Sequence, residues 1–234
     1  MQQTVKIGIY GDSLMKATMP DNNWRYHFHA ELLTSAFSKL PVSLTNRAKF
    51  GATTCKGSFV LQQDMAAGRS YDYALIEFGG NDCNYDWISI AADPEGTHSP
   101  AVSLPQFTAG LEDMVQTLEQ QQIQPVLMTL PPIDANRYLD FIVSKGSSKP
   151  AILHWLGDVQ RIYRVQELYS NAIANLAQRF QLPCIDVRSL FLASPRFSQL
   201  ISRDGIHPSE SGYHLLYQTL AGFLRTALSI PHLA

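Results

Sequence analysis

The chain alternates apolar β-type runs with segments whose apolar residues recur at helical spacing. The runs cover 4–10, 41–48, 72–79, 123–132 and 182–190, and the helical spacing is found in 24–39, 58–67, 105–122, 166–180 and 209–228. Because the runs are apolar almost throughout, both of their faces must be covered. The pattern therefore predicts an α/β fold, in which a parallel sheet lies between two layers of helices, as one domain over residues 1–234.

Composition and charge exclude several classes of protein. A net charge of −2 argues against nucleic acid or an anionic membrane as the main partner. No apolar run approaches the roughly 20 residues of a membrane span, and the first strand begins without a signal-like segment, so we expect a cytoplasmic protein. Cys55, Cys83 and Cys184 are odd in number and lack CxxC spacing, which predicts reduced thiols rather than disulfides or a zinc site.

Four short motifs follow the predicted strands or precede the last helix. "GDSL" contains Ser13, "NRAKFG" ends at Gly51, "FGGND" contains Asn81, and "DGIHPS" contains Asp204 and His207. Each motif alone is also compatible with an ordinary turn or helix cap. Because open α/β sheets bind ligands at the carboxyl ends of their strands, we expect the four motifs to converge there.

Together these residues supply the parts of an acyl-transfer site. The Ser13 hydroxyl can attack a carbonyl if His207 takes its proton, and Asp204 can orient the imidazole and stabilise the imidazolium. The tetrahedral intermediate then needs hydrogen-bond donors for its oxyanion. The Ser13 N–H, the Gly51 N–H and the Asn81 side-chain amide are the candidates.

These motifs, in this order from 11 to 209, resemble the SGNH (GDSL) hydrolase superfamily. Ser13 matches its nucleophile, Gly51 and Asn81 match its oxyanion donors, and Asp204 and His207 match its acid and base. The resemblance implies a carboxylic ester hydrolase with a flavodoxin-like three-layer α/β/α fold and sheet order 2-1-3-4-5. It also implies that the enzyme needs neither a metal nor an organic cofactor.

The substrate is expected at two long connections, 84–104 and 133–165, which follow the third and fourth runs; whether they act as lids is left open. Their aromatic and imidazole side chains could bind a sugar ring or line an acyl pocket; the candidates are Tyr85, Trp87, His98 and Trp155. We expect a short-chain ester, an acetyl ester of a carbohydrate first. Arylesters, thioesters and lysophospholipids are the alternatives, and so is a non-catalytic carbohydrate-binding relative.

Other functional classes fit the sequence less well. We interpret His27 and His29 as helix residues, and positions i and i+2 of a helix do not share a face that could hold a metal. No G-x-G-x-x-G or G-K-[ST] loop is present for a nucleotide, and no G-x-S-x-G elbow for an α/β-hydrolase. The expected partner is therefore a small-molecule ester, while the oligomeric state is left open, a homo-oligomer included.

Overall fold

A five-stranded parallel sheet forms the centre of the computed structural model, which describes residues 4–229. In chain order the strands are β1 (Val5–Gly11), β2 (Thr18–Pro20), β3 (Tyr26–Phe28), β4 (Val42–Asn46), β5 (Tyr73–Glu77), β6 (Gln124–Met128) and β7 (Cys184–Ile185). The parallel sheet has the order β4-β1-β5-β6-β7, whereas β2 and β3 form a separate antiparallel pair. In terms of the five predicted runs this is the order 2-1-3-4-5, so the predicted fold is confirmed.

Helices cover both faces of the sheet. They are α1 (Ala30–Phe37), α2 (Thr54–Ala66), α3 (Trp87–Ala92), α4 (Leu104–Gln120), α5 (Ala135–Ser144), α6 (Lys149–Leu156), α7 (Gln160–Phe180), α8 (Val187–Leu192), α9 (Phe197–Leu200) and α10 (Glu210–Ser229). One core contains α1, α8 and α10, and the other contains α2, α4 and α7. The run 123–132, which contains β6, is apolar because successive side chains enter opposite cores. Val126 and Met128 lie in the first core and Leu127 lies in the second.

The predicted helix over 24–39 is wrong in its first part. Strands β2 and β3 form a hairpin over residues 18–28, and the helix begins only at Ala30, with α1. Between the two strands the Asp21 carboxylate accepts the N–H of Arg25 at 2.9 Å, which closes a turn that reverses the chain. His27 therefore lies in β3 and His29 lies between β3 and α1, so neither is a helix residue.

The two long connections contain helices rather than irregular chain. Residues 84–104 include α3, and residues 133–165 include α5, α6 and the start of α7. A third apolar cluster joins them, with Ile90 and Ile152 both 0% exposed. The two connections therefore pack against each other, beyond the strands that they follow.

The three cysteines form no disulfide with one another. Cys55 is exposed, Cys184 half-buried and Cys83 buried. Burial raises the pKa of the Cys83 thiol, which therefore remains protonated. Within residues 4–229, no three His, Cys, Asp or Glu side chains are grouped so that they could hold a metal ion. In the same part of the chain, no helix has the length and apolar character that crossing a bilayer requires.

Candidate active site

The turn after β1 presents Ser13 at the open edge of the sheet. A Cβ on Gly11 would lie 2.8 Å from the Met15 side chain, so only glycine fits where the strand ends. The Asp12 carboxylate then accepts the Leu14 N–H at 2.9 Å, which fixes the start of the 3-10 turn that follows. The backbone thus directs Ser13 toward the loop that precedes α10.

Ser13, His207 and Asp204 form a continuous hydrogen-bonded chain. Ser13 Oγ lies 2.9 Å from His207 Nε2, and His207 Nδ1 lies 2.7 Å from Asp204 Oδ2. All three side chains are buried. Gly205 has a φ of +79° and packs so closely against the start of α5 that no side chain would fit. The loop can therefore turn Asp204 back onto the imidazole.

Asp204 is built to remain ionised. Burial alone raises the pKa of its carboxyl, but hydrogen bonds and charge from His207, with further hydrogen bonds from Ser202 and the backbone, hold it below the ordinary value. Its Oδ1 accepts from Ser202 Oγ at 2.6 Å and from the N–H groups of Ile206 and His207 at 3.1 Å each. The carboxylate thus has a fixed orientation toward the imidazole Nδ1.

The three residues predicted to supply oxyanion donors all line one cavity beside Ser13. Among residues 4–229, none accepts a hydrogen bond from the Ser13 or Gly51 N–H, and both residues line the cavity. Asn81 differs, because its Nδ2 donates to Asp12 Oδ2 at 2.7 Å and to the Ala52 carbonyl at 3.0 Å. Both hydrogens of the Asn81 amide are therefore engaged before any substrate binds.

Asp12, in the turn after β1, and Glu77, at the end of β5, form a pair of buried carboxyl groups. Glu77 is 0% exposed, and its Oε2 accepts the Asp12 N–H at 3.3 Å. Burial is the main cause that raises the pKa of both carboxyls, and repulsion from Asp12 raises that of Glu77 further. The pair retains a proton at a pH where two exposed carboxyls would both be ionised.

A cavity of about 140 Å³ opens beside the Ser13 hydroxyl. Its inner wall is largely apolar, with Leu130, Ile133 and Ile162 among the lining residues. Some of its polar groups pair with one another, since Asn84 Oδ1 accepts from Trp87 Nε1 at 2.9 Å and from the phenol of Tyr138 at 2.7 Å. The wall therefore offers a bound group mainly van der Waals contact.

The four predicted substrate contacts divide into two pairs. Tyr85 and Trp87 line the cavity. Trp155 packs behind Tyr85, with ring centroids 5.0 Å apart, and His98 lies 5.6 Å beyond Trp155. Neither Trp155 nor His98 lines the cavity, so their expected contact with substrate would have to be indirect.

Three lining aromatics, Tyr26, Phe50 and Tyr138, were missing from the sequence prediction. Tyr26 lies on β3 and Phe50 directly precedes Gly51, and their ring centroids are 5.3 Å apart. The position of Phe50 next to an oxyanion candidate could have identified it. Tyr26 could not be identified while its segment was assigned to a helix.

Residues 9–215 match the GDSL-like lipase/acylhydrolase family. The chain belongs to this family. The match includes all five residues of the predicted site, and the resemblance inferred from the four motifs is confirmed. A carboxylic ester hydrolase, as predicted, is what membership of this family of acylhydrolases implies.

Known proteins similar to this GDSL family member include esterases. It is 23% identical over 231 residues to the isoamyl acetate-hydrolyzing esterase of Saccharomyces cerevisiae, covering 94% of this chain and 86% of that one. A lipase/acylhydrolase structure from Enterococcus faecalis has a TM-score of 0.68 at 20% identity, covering 95% of this chain and 96% of that chain. A catalytic mutant of an acetylxylan esterase from Geobacillus stearothermophilus has a TM-score of 0.62 at 17% identity, covering 99% and 97%. These structures support the α/β fold.

Proposed function

We propose that this hydrolase cleaves short-chain carboxylic esters, acetyl esters first, with Ser13 as nucleophile, His207 as base and Asp204 as its acid partner. The observation that carries the proposal is the hydrogen-bonded chain itself, 2.9 Å from serine to imidazole and 2.7 Å from imidazole to carboxylate. Both distances are within the range needed for proton transfer and orientation.

In the proposed reaction, Ser13 Oγ attacks the ester carbonyl carbon while His207 Nε2 takes the hydroxyl proton. The oxyanion of the tetrahedral intermediate is met by the N–H groups of Ser13 and Gly51, with the Asn81 amide as third donor. The C–O bond to the alcohol breaks as His207 returns its proton to the leaving oxygen. Water then attacks the acyl-serine with His207 as base again, which releases the carboxylic acid and restores Ser13.

The size of the cavity supports a short acyl chain. The cavity has a volume of about 140 Å³, and its apolar lining includes Leu130, Ile133 and Ile162. We therefore expect kcat/KM to fall at least about 10-fold between p-nitrophenyl butyrate and octanoate, because added methylenes crowd this lining. Initial rates on the series from acetate to laurate measure this, and an octanoate preference would contradict it.

For the alcohol portion, carbohydrate remains our first proposal. Phe50 lines the cavity and is 47% exposed, and Phe28, which is 54% exposed, lies beside it with ring centroids 5.9 Å apart. A sugar ring can stack on such aromatic side chains. The similar structure from Geobacillus stearothermophilus is that of an acetylxylan esterase. We propose that these aromatics, rather than Trp155 and His98, contact the alcohol portion of the substrate.

A small apolar alcohol is the second candidate. The cavity wall favours it, because Asn84 Oδ1, Trp87 Nε1 and the Tyr138 phenol hydrogen-bond to one another rather than to a sugar hydroxyl. The yeast relative hydrolyses isoamyl acetate by name. Comparing kcat/KM on isoamyl acetate and on acetylated xylo-oligosaccharides, with p-nitrophenyl acetate as reference, separates the two candidates.

Trp87 and Trp155 provide a matched pair for testing which side chains select the acyl chain. We expect Trp87→Leu to raise the ratio of kcat/KM for hexanoate over that for acetate about 10-fold, because the smaller side chain leaves more room in the cavity. Trp155→Leu removes an indole of the same size that lies outside the lining and should leave the ratio unchanged. Equal shifts in both variants, at equal thermal stability, would mean that the indoles serve packing rather than selection.

A further inference from the structure

The hairpin formed by β2 and β3, residues 18–28, is hydrogen-bonded at its base to the turn that contains Ser13. The Thr18 N–H donates to the Ser13 carbonyl at 3.2 Å, and the Thr18 carbonyl accepts from the phenol of Tyr213 on α10 at 2.9 Å. We call residues 18–28 the hairpin strap. Its base therefore moves with the turn that presents Ser13.

The tip of the hairpin strap contacts the loop that carries Asp204. Arg203, the residue before Asp204, donates from Nη1 to the Asn22 carbonyl at 3.1 Å and to Asn22 Oδ1 at 3.2 Å. Its guanidinium lies 3.9 Å from the ring centroid of Trp24. Trp24 has a φ of +62°, a conformation that residues other than glycine adopt only when their surroundings fix it. The tip is thus held against the acid loop.

These two attachments place Tyr26 between the tip and the base, against the catalytic pair. The ring centroids of Tyr26 and His207 are 5.1 Å apart with an interplanar angle of 62°. The Tyr26 phenol also interacts with Asp204, and burial together with that carboxylate raises the pKa of Tyr26. Phe50 packs on the other side of the Tyr26 ring.

We propose that Tyr26 is a positioning residue, whose ring restrains the His207 imidazole and whose phenol interacts with the Asp204 carboxylate. The proposal rests on the proposed Ser13–His207–Asp204 mechanism. It assigns the hairpin strap a purpose, since the strap brings Tyr26 against His207 and Asp204, which both lie on the loop before α10.

The sign of the effect follows from the polarity of the phenol hydroxyl, whose hydrogen is attracted to the nearby ionised Asp204. Such a hydroxyl partly offsets the negative charge of the carboxylate that stabilises the imidazolium. Removing the hydroxyl in Tyr26→Phe should therefore favour the protonated imidazole, so that the base protonates at a higher pH. We expect the acid limb of kcat/KM to move up by about half a pH unit.

Other charged and titratable groups near this pair are unchanged in the variant. Within residues 4–229 they are Asp12 at the end of β1, Tyr138 on α5 and Tyr213 on α10, each of which interacts with Asp204 or His207. Arg203 and Arg137 contact the hairpin strap and the backbone just before the Asp204 loop. A shift in Tyr26→Phe is therefore attributable to the lost phenol.

The test follows the His207 imidazole directly, by pH titration of its NMR signals in histidine-labelled protein, beside the pH profile of kcat/KM. Tyr10→Phe is the matched control, because Tyr10 donates to Asp64 Oδ2 at 3.0 Å away from the site. Tyr26→Phe should raise the titration midpoint while Tyr10→Phe does not. Tyr26→Leu, which also removes the ring, should lower kcat about 10-fold with little change in KM.

An unchanged or lowered midpoint in Tyr26→Phe overturns the proposal, and so does an equal shift in Tyr10→Phe. This failure is distinguishable from failure of the proposed function. The titration needs no turnover, whereas the function is tested by the activity of Ser13→Ala. A Tyr26→Phe protein with a wild-type midpoint beside an inactive Ser13→Ala protein would remove the role of Tyr26 and leave the mechanism standing.

Discussion

Ser13→Ala and His207→Ala should each lower kcat by about 10⁴–10⁶-fold. Without Ser13 Oγ there is no nucleophile 2.9 Å from the base, and without His207 a neutral hydroxyl has no group to take its proton. The double variant should be scarcely worse than either single one, because the two residues act on the same step. Initial rates on p-nitrophenyl acetate measure all three variants.

The matched control for this prediction is Ser58→Ala. Ser58 also donates its hydroxyl to another side chain, Asp113 Oδ2 at 3.0 Å, but on the surface between α2 and α4. It should retain wild-type activity, and a fluorophosphonate probe should label Ser13 in this control and in the wild type. Ser13→Ala activity above a tenth of wild type would disprove the nucleophile assignment, and a binding-only relative would show no labelling at all.

The parallel sheet was predictable because its inner strands are buried on both faces. Each core-facing position of β6 is apolar, so the run differs from the amphipathic helices around it. The hairpin strap gave no such signal, because its strands have three residues each and depend on contacts distant in sequence, such as that of Arg203 with Asn22. Short strands fixed by tertiary contacts have no periodicity of their own to detect.

The candidate site was predictable where local motifs present the side chains. Ser13, Asp204 and His207 lie in turns whose form depends on nearby residues, such as Gly205, and the structure brings all three together. Which aromatics reach the cavity depends instead on how α3, α6 and the hairpin strap pack. Proximity along the sequence therefore led us to include Trp155, which does not line the cavity, and to miss Tyr26, which does.

Asn81→Ala should lower kcat by about 10²–10³-fold with little change in KM, if the amide serves as an oxyanion donor. The negative charge develops only after Ser13 attacks, so the lost hydrogen bond belongs to the transition state. The structure adds that this amide already donates to Asp12 and to the Ala52 carbonyl. The oxyanion would then have to displace or share one of those acceptors. Steady-state kinetics beside exposed Asn171→Ala as control measures the effect, and a higher KM at unchanged kcat would instead assign Asn81 to substrate binding.

Asn81→Asp should be more damaging than Asn81→Ala, and increasingly so as the pH rises. The new carboxyl would stand where Nδ2 now lies 2.7 Å from Asp12 Oδ2, above the buried Glu77. At about pH 5 such a cluster retains protons, and a protonated carboxyl can still donate to the oxyanion. At about pH 8 the cluster loses a proton and opposes the oxyanion with negative charge. The ratio of variant to wild-type kcat should therefore fall between these pH values, since dividing by the wild type cancels the titration of the common base. A ratio that stays constant or rises would mean that position 81 does not face the developing charge.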